Sequence, residues 1–380
     1  MKLELSEDHK LIQQSARDFA AKVVAPRARE IDATGEFPTD LYKASAELGF
    51  TGIAIPEEFG GAGLDYQAYC LVLEEVARHC GSTSVILSVN NSLACEPLKS
   101  NGTQEQKEKW LTPLASGEKL GCYALTEPNS GSDCASMKTV AKRDGDNWIV
   151  NGTKIFITCA TNADTCILFT STSPEKGNRG ITAFVVDMKS PGFTVQGMHG
   201  KMGIKGSGLA ELVFEDLIIP DENRLGEVDG GFKIAMNTLN AGRLGIAAKA
   251  LGLARAALED SIQYSKERKQ FGKPIGDFQA IQWMIADMAV KVEASRLMIH
   301  RACSLKDKGQ KYATESAMAK LYAAECSTWI TNKAIQVHGG YGYIKEYDVE
   351  RYFRDARICE IYEGTSEIQK LIISRDLLSS

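Results

Sequence analysis

Hydrophobic residues follow a helical spacing through the first third of the chain. Apolar residues stand three and four positions apart in LIQQSARDFAAKVV, LVLEEVARHC and QEQKEKWLTPLAS, which is the spacing of one buried helix face. Between these segments, PEEFGGAGLDY is rich in turn residues and predicts a loop. We therefore predict an N-terminal helical domain over residues 1–119.

The hydrophobic pattern becomes that of strands after residue 119. The runs CILFTST, ITAFVVDM, FTVQGM and LVFEDLIIP have the β-branched and aromatic content of strands. The run WIVNGTKIFIT carries Asn151-Gly152 between two such stretches, which is a strong hairpin signal. Residues 120–226 are therefore predicted to form a small middle domain of antiparallel strands.

Helical spacing returns after Gly230-Gly231 and continues towards the C-terminus. Three long segments, 232–268, 278–307 and 314–340, keep this spacing, and helices of such length predict a bundle over residues 227–380. The chain has no internal repeat and no low-complexity linker. We therefore expect an α+β protein whose three parts pack as one compact unit.

Composition and charge narrow the class of protein. At 380 residues the chain exceeds the usual single-core size, and its formal net charge of -5 comes without a basic tract, so neither nucleic acid nor an anionic membrane surface is an expected partner. The ten cysteines lack CxxC spacing and are interpreted as buried, reduced thiols. The N-terminus MKLELSEDHKLIQQ has no apolar core for export, and no apolar run is long enough for membrane insertion, which predicts a cytoplasmic location.

Several familiar catalytic motifs do not occur in the sequence. No GxGxxG opens a helix after a strand, and GxxxxGK[ST] and GxSxG are absent, which counts against Rossmann, P-loop and hydrolase chemistry. The five histidines are far apart and form no HExxH pairing, so we predict no metal site.

A single carboxylate, Glu363, stands in IYEGTSEIQ between two bulky apolar residues and a glycine. Thr365 and Ser366 are N-cap residue types, and Ser366 with Gln369 has the spacing of a capping box, so a helix is predicted to begin here. Its first amides would favour an anion, whereas the apolar neighbours would desolvate the carboxylate and raise its pKa. Glu363 is therefore either a partly solvated acid at a helix start or a general base.

Three further stretches rich in glycine or polar residues are YALTEPNSGSD, KQFGKPIGDFQAIQ and QVHGGYGYIKEY. Alone, they are typical of a turn cluster, a helix break and a glycine C-cap. Together, and in this order around IYEGTSEIQ, they resemble the acyl-CoA dehydrogenase family over the whole chain. GGAGLDYQAY, SVNNSL and RDARICEIYEGTSEIQ are most similar to its short-chain branch. The resemblance implies that the C-terminal bundle has four helices.

The resemblance implies a flavoenzyme that holds FAD and converts a short-chain acyl-CoA thioester to the 2-enoyl-CoA. In the family, the glutamate at the position of Glu363 removes the α-proton while the β-hydrogen leaves as hydride to flavin N5. The Glu363 backbone N–H and a flavin ribityl hydroxyl are the implied donors to the thioester oxygen. The other positions that match substrate-binding residues are Ser132, Asn240, Arg243, Tyr362 and Gly364.

The positions that match FAD contacts fall into three groups. Those expected to flank the isoalloxazine ring are Tyr123, Leu125, Thr126, Ser132, Phe156, Ile157 and Thr158. Those expected at the pyrophosphate and adenosine are Arg268, Gln270, Phe271 and Gln279, joined by Gln336, Gly339 and Gly340 of a neighbouring subunit. The last two are Thr365 and Glu367. Phe156 is often Trp in the family, and Cys159 stands where Asn is common.

The resemblance also implies a homotetramer, built as a dimer of dimers, and electron-transfer flavoprotein as the electron acceptor. Alternatives are an oxidase that uses oxygen, a dehydrogenase of branched or alicyclic CoA esters, and a catalytically silent acyl-CoA-binding protein. We expect the floor of the acyl cavity near Leu87 to Leu93. Gly242 stands where branches such as isovaleryl-CoA dehydrogenases carry their base.

Overall fold

The computed structural model describes residues 5–379, so residues 1–4 and 380 of the predicted domain ranges lie outside the described residues. The first part of the chain is helical. Its α-helices are α1 (Glu7–Phe19), α2 (Ala28–Thr34), α3 (Thr39–Glu47), α4 (Tyr66–Ala77), α5 (Gly81–Ser88), α6 (Glu96–Asn101), α7 (Gln104–Gln106) and α8 (Thr112–Ala115). A π-helical segment, Val89–Cys95, joins α5 to α6.

Side-chain caps fix where these helices begin. Ser6 accepts a hydrogen bond from the His9 N–H at the start of α1, and Asp65 accepts one from the Ala68 N–H at the start of α4. Every residue of α4 is buried, because α1, α9 and α10 pack around it. The predicted loop before α4 contains only one 3₁₀ turn, Glu57–Phe59, within residues 56–65.

The middle part of the chain forms a twisted sheet in the order β6-β7-β3-β2-β4-β5-β8, with β1 added beside β4. Its strands are β1 (Gly121–Ala124), β2 (Val140–Asp144), β3 (Asn147–Ile157), β4 (Thr165–Ser171), β5 (Ile181–Asp187), β6 (Phe193–Gly197), β7 (Ala210–Pro220) and β8 (Arg224–Leu225). Most pairs are antiparallel, as predicted. However, β1 runs parallel to β4, and β2 meets β4 in parallel at Val140 and Ser171.

The predicted hairpin at Asn151-Gly152 is wrong, because β3 continues through both residues. Its pairing with β7 shifts at this point, which marks a bulge, and the Asn151 side chain donates to Asp216 Oδ1 over 2.9 Å. Gly152 is required there, since a Cβ atom would come within 2.6 Å of Thr139. The tight turn instead joins β2 to β3 and contains Gly145, whose φ is 57°.

The C-terminal part of the chain is a helical bundle, as predicted. Its helices are α9 (Gly231–Glu267), α10 (Gln279–Asp307), α11 (Ala313–His338), α12 (Val349–Arg357) and α13 (Ser366–Ser379), with the short pair β9 (Lys269–Gln270) and β10 (Lys273–Pro274) between α9 and α10. α11 packs against α9, α10, α12 and α13. α9 also contacts α4, α5 and β5, so this one helix connects all three parts of the molecule.

The ten cysteines are all free thiols, and all but the half-buried Cys134 are buried, as expected. Within residues 5–379, no helix is both long and apolar enough to cross a membrane. The same part of the chain contains no group of three or more His, Cys, Asp or Glu side chains arranged to hold a metal ion.

Candidate active site

Glu363 lies in the turn between α12 and α13 with an unusual backbone conformation. Its φ is 52°, in the left-handed region that non-glycine residues rarely adopt, and Gly364 follows with a φ of 93°. Gln369 Nε2 donates to the carbonyl oxygens of Glu363 and Gly364 over 3.3 and 2.9 Å. Lys320 Nζ donates to the same Gly364 oxygen over 2.6 Å. These bonds hold the strained turn that presents Glu363.

The helix that follows Glu363 begins where predicted, but its cap is different. α13 starts at Ser366, and Thr365 is the capping residue, since its Oγ1 accepts from the Ile368 N–H over 3.4 Å. The Ser366 hydroxyl is buried without a hydrogen-bond partner among the described residues. The predicted capping box of Ser366 and Gln369 is therefore wrong, because the Gln369 amide binds the carbonyls of the preceding turn instead.

Burial and nearby positive charges have opposite effects on the pKa of the Glu363 carboxylate. Its Oε2 atom is buried without a hydrogen-bond partner among the described residues. Burial raises the pKa of Glu363 to about 7, against the nearby cations Lys320, Arg243 and Lys249, which lower it. Burial also lowers the pKa of Lys320 to about 8. A carboxyl group with a pKa near neutrality can both accept and hold a proton at physiological pH.

α9 passes directly beside this carboxylate. A Cβ atom on Gly242 would overlap Glu363 Oε2 and come within 2.9 Å of Leu93 Cδ2, so only glycine leaves room for the acid here. The next residue, Arg243, is 3% exposed, and its Nη1 donates to Asn240 Oδ1 over 2.6 Å. The Arg243 Nε atom is buried without a partner among the described residues. This edge of the site therefore has a buried cation with unused donor capacity.

The Tyr362 side chain points into the bundle. Lys249 Nζ donates to its hydroxyl over 3.2 Å and lies 5.4 Å from its ring centroid. Lys249 is itself fully buried. Tyr362 is one of the predicted substrate contacts. Its hydroxyl is thus hydrogen-bonded to Lys249, which also lowers the pKa of Glu363.

The two segments predicted to flank the isoalloxazine ring lie side by side in the middle domain. The Ile155 N–H donates to the Thr126 carbonyl over 2.9 Å, which joins the end of β3 to the residues after β1. Lys154 Nζ donates to the Leu125 carbonyl and forms a buried ion pair with Glu127 at 2.8 Å. The structure therefore brings together Tyr123, Leu125, Thr126, Phe156, Ile157 and Thr158.

This surface offers an apolar platform for a planar ring. Phe156 has a φ of 60° and is 58% exposed, which turns its ring away from the sheet. Tyr123 is buried, and burial raises the pKa of its phenol. Glu363 and Arg243 lie close enough to affect the same pKa, since Glu363 raises it further and Arg243 lowers it. Ser132 lies in an exposed turn. Burial lowers the pKa of Arg243, and Cys134, two residues after Ser132, lies close enough to Arg243 to oppose this shift. The platform and the base thus share one region.

A second group of predicted residues forms a separate cavity of about 540 Å³ at the other end of α9. Arg268 lies over the Tyr341 ring at 5.3 Å, and Gln270, Gly339 and Gly340 line the same cavity. A Cβ atom on either glycine would meet nothing within 4 Å, so the backbone is open to a ligand. A cationic, aromatic cavity with accessible backbone fits the pyrophosphate and adenosine of FAD.

The remaining positions of this group lie nearby in sequence and reach solvent. Phe271 is 94% exposed with a φ of 52°, Gln279 begins α10, and Gln336 is exposed in the last turn of α11. The expected division of these residues between subunits stays a prediction. Arg268 and Gln270 were expected from one subunit and the two glycines from its neighbour, and within a single chain all four line one cavity. They share it because α11 packs against α9 along the bundle.

Sequence reasoning missed two residues at the site, Lys249 and Lys320. It also did not predict that Gln369 holds the turn before α13. Each lysine interrupts a run of small and apolar residues, GIAAKALGLA and SAMAKLYAA, which is a detectable signal. A charged residue on an otherwise buried helix face has to meet a polar partner. The partners themselves are distant in sequence, so no local pattern indicates them.

The chain matches the family models for the acyl-CoA dehydrogenase N-terminal domain over residues 6–118, the middle domain over residues 122–217 and the C-terminal domain over residues 229–378. It belongs to the acyl-CoA dehydrogenase family, and it is an oxidoreductase whose cofactor is FAD.

The relatives include short-chain enzymes. The chain is 49% identical over 378 residues to the mitochondrial short-chain specific acyl-CoA dehydrogenase of Rattus norvegicus, which covers 100% of this chain and 92% of that protein. It is 49% identical over 374 residues to the caffeyl-CoA reductase-Etf complex subunit CarC of Acetobacterium woodii, covering 98% of this chain and 99% of CarC. The structure of butyryl-CoA dehydrogenase from Megasphaera elsdenii has a TM-score of 0.98 and 43% identity, with 100% of both chains covered.

Proposed function

We propose that the protein dehydrogenates a short-chain acyl-CoA thioester to the 2-enoyl-CoA, with Glu363 as the base that removes the α-proton. The observation that carries the proposal is the buried Glu363 Oε2 atom, which lies against the glycine backbone of α9 and has no hydrogen-bond partner within residues 5–379. Its pKa of about 7 suits proton transfer at neutral pH. The names of the relatives, short-chain specific and butyryl-CoA dehydrogenases, support the acyl class.

The residues around Glu363 supply the electrostatic part of the reaction. Lys320, Arg243 and Lys249 favour the ionised carboxylate before the proton arrives. The turn held by Lys320 and Gln369 fixes the Glu363 backbone N–H, which we assign as a donor to the thioester oxygen as negative charge develops there. Gly364 keeps side-chain atoms away from that approach.

FAD, when bound, supplies the acceptor for the β-hydrogen, which leaves as hydride. The ring would be held by Tyr123, Leu125, Thr126, Ser132, Phe156, Ile157 and Thr158, with Thr365 and Glu367. The pyrophosphate and adenosine would be held by Arg268, Gln270, Phe271, Gln279, Gln336, Gly339 and Gly340.

The two halves of this FAD site have to come from different copies of the chain. Arg268 ends α9, about seven turns after Arg243, which is about 37 Å along the helix axis. A dinucleotide spans much less than this between its ring and its pyrophosphate. We therefore infer that each FAD lies between two protomers within a homotetramer, a dimer of dimers.

An exposed apolar stripe supports the assembly. Trp283, Val290 and Leu297 on α10 are 64%, 68% and 39% exposed and repeat every seventh position, so they share one helix face. Apolar stripes of this kind mark protein–protein interfaces. Electron-transfer flavoprotein is the proposed electron acceptor, supported by the name of the CarC relative. The cytoplasmic location stays a prediction.

The test uses the purified holoprotein and butyryl-CoA without oxygen. The proposal expects the yellow flavin to bleach, and it expects Glu363→Gln to hold FAD and bind butyryl-CoA but reduce the flavin at least about 10²-fold more slowly, since an amide cannot accept the proton. Rapid oxygen consumption in air would favour an oxidase. An unmodified protein that binds acyl-CoA and stays yellow would favour a silent binding protein, and full activity in Glu363→Gln would remove Glu363 from its role.

A further inference from the structure

Two glycines stand one helical turn apart on the face of α9 that the Glu363 carboxylate touches. Gly242 meets Glu363 and Leu93, and a Cβ atom on Gly245 would overlap Tyr69 Oη and come within 2.5 Å of Ser88 Oγ. Residues three positions apart share a helix face and lie about 4.5 Å apart along the axis. The Tyr69 hydroxyl therefore lies about one helical turn beyond the carboxylate along this face.

The Tyr69 side chain is fixed in this place. It is 1% exposed, and its hydroxyl forms a hydrogen bond of 3.0 Å with Ser88 Oγ. Its ring packs edge-on against Tyr66 at a centroid distance of 5.3 Å. Burial raises the pKa of the Tyr69 phenol well above its ordinary value, and Glu363 is among the charges close enough to act on it. Tyr69 is thus a neutral, well-packed group near the base.

The direction of the acyl chain follows from what surrounds α9 on either side of Gly242. Towards its N-terminus, the Tyr123 hydroxyl donates to the Ala235 carbonyl, so this side faces the flavin platform of the middle domain. Towards its C-terminus, every residue from Ala241 to Ala254 is buried by other helices. We therefore direct the tail of an acyl group whose α-carbon lies at Glu363 away from the flavin platform and towards Gly245.

We propose that the Tyr69 hydroxyl, held against Gly245 by Ser88, is the floor of the acyl pocket and limits the substrate to short acyl chains. The inference rests on the proposed function, since it concerns the substrate of the same site. The single turn of α9 from Gly242 to Gly245 is about 4.5 Å long, which matches the length of a tail of a few methylene groups. A longer tail has to displace a buried, hydrogen-bonded ring, and a close-packed interior resists this.

The experiment compares the unmodified protein with Tyr69→Phe, Tyr69→Leu and the control Tyr66→Phe. Tyr66 is a buried tyrosine of the same helix, and Lys306 Nζ lies 4.0 Å from the centroid of its ring. For butyryl-, hexanoyl- and octanoyl-CoA, kcat/KM is measured by anaerobic flavin reduction. The Kd of a non-oxidisable thioether analogue of each length is measured by perturbation of the flavin spectrum. The second readout requires no turnover.

Tyr69→Leu is expected to raise the octanoyl-to-butyryl ratio of kcat/KM at least about tenfold, because each added methylene then meets apolar space instead of a hydroxyl. Tyr69→Phe is expected to raise the hexanoyl-to-butyryl ratio a few-fold, and Tyr66→Phe is expected to change neither. The Kd ratios are expected to move in the same direction.

A folded, FAD-containing Tyr69→Leu protein with an unchanged length preference overturns the inference. If that variant does not fold, the milder Tyr69→Phe decides, and an unchanged hexanoyl ratio in kcat/KM and Kd overturns it equally. Failure of the proposed function gives a different result, because the unmodified protein would then reduce its flavin with none of the three substrates. The thioether Kd values would still report on the floor of the pocket.

Discussion

Glu363 shows how burial can outweigh nearby charge at a single residue. Three cations lie close enough to lower its pKa, yet removal from water has the larger effect and raises the pKa to about 7. The sequence predicts Glu363 and Arg243, because both lie in recognisable motifs. It does not predict Lys320, because the hydrogen bond from Lys320 to Gly364 joins residues far apart in the chain.

Replacement of Lys320 by methionine is expected to shift the acid limb of the pH–rate profile upward. Lys320 is the strongest of the cations that hold the Glu363 pKa down, so without it the carboxylate stays protonated to higher pH and fewer molecules carry the active base. The measurement is kcat/KM for flavin reduction across pH, which reports ionisations of the free enzyme.

Lys370→Met is the matched control for this change. Lys370 on α13 has a side chain that is 58% exposed, and it forms a surface ion pair with Glu325 of α11, so its loss is expected to leave the pH–rate profile in place. Lys320→Met also removes a bond that holds the Gly364 carbonyl, which lowers the rate at every pH. A lower rate with an unshifted acid limb would mean that Lys320 acts on the turn alone.

Local pattern predicted the elements well but not how they pair. The long helices and most strands follow directly from hydrophobic period. Asn151-Gly152 fits both a hairpin and a bulge, and the choice depends on pairing with β7, about 60 residues further along the chain. The parallel β1–β4 pair is likewise a tertiary contact. The capping box failed for a related reason, because the carbonyls of a strained turn bind the Gln369 amide.

The contact between α9 and the Glu363 turn predicts that the base can be moved from one element to the other. Gly242→Glu alone is expected to abolish most activity, because its Cβ atom would overlap the Glu363 carboxylate. The further change Glu363→Gly vacates that space and relieves the positive φ, so the double variant is expected to recover part of the activity that Glu363→Gly alone lacks. Small errors in position keep the recovery incomplete.

Anaerobic flavin reduction by butyryl-CoA, after proof that each variant holds FAD, measures this recovery. Gly252→Ala is unsuitable as a control, since its Cβ atom would press on the backbone of α4, so Glu363→Gly itself is the reference. A folded double variant that binds acyl-CoA and is no faster than Glu363→Gly would show that a side chain at position 242 does not reach the α-carbon.

At the scale of the whole molecule, the two predicted FAD regions are held apart by the length of α9. The family motifs identify both regions, but only the continuous helix from Gly231 to Glu267 gives their separation. Sequence reasoning also divided the second region between two subunits, and within one chain Arg268, Gln270, Gly339 and Gly340 line one cavity. In the proposed assembly, the division between copies falls between this cavity and the ring platform.

This division predicts complementation between two inactive variants. Arg268→Ala is expected to weaken FAD binding, whereas Lys269→Ala, an exposed neighbour, is expected to leave it unchanged. Glu363→Gln removes the base from the other half of the site. A mixed dimer of Arg268→Ala and Glu363→Gln then contains one site with both residues intact and one site with neither. Random assembly of equal amounts places about half of the chains in mixed dimers, so about one quarter of unmodified activity is expected.

The measurement is flavin reduction and FAD content in co-expressed, doubly tagged protein, compared with each variant alone. Because FAD would then bridge two protomers, its removal is also expected to lower the thermal stability and the assembly state of the unmodified protein, since a ligand that binds only the assembled form stabilises it. If one chain supplied a whole FAD site, every site in the mixture would lack either Arg268 or Glu363. If the mixed protein is no more active than the average of the two variants, both halves of the site belong to a single protomer. The separation of the two regions along α9 would then not divide the FAD site between copies.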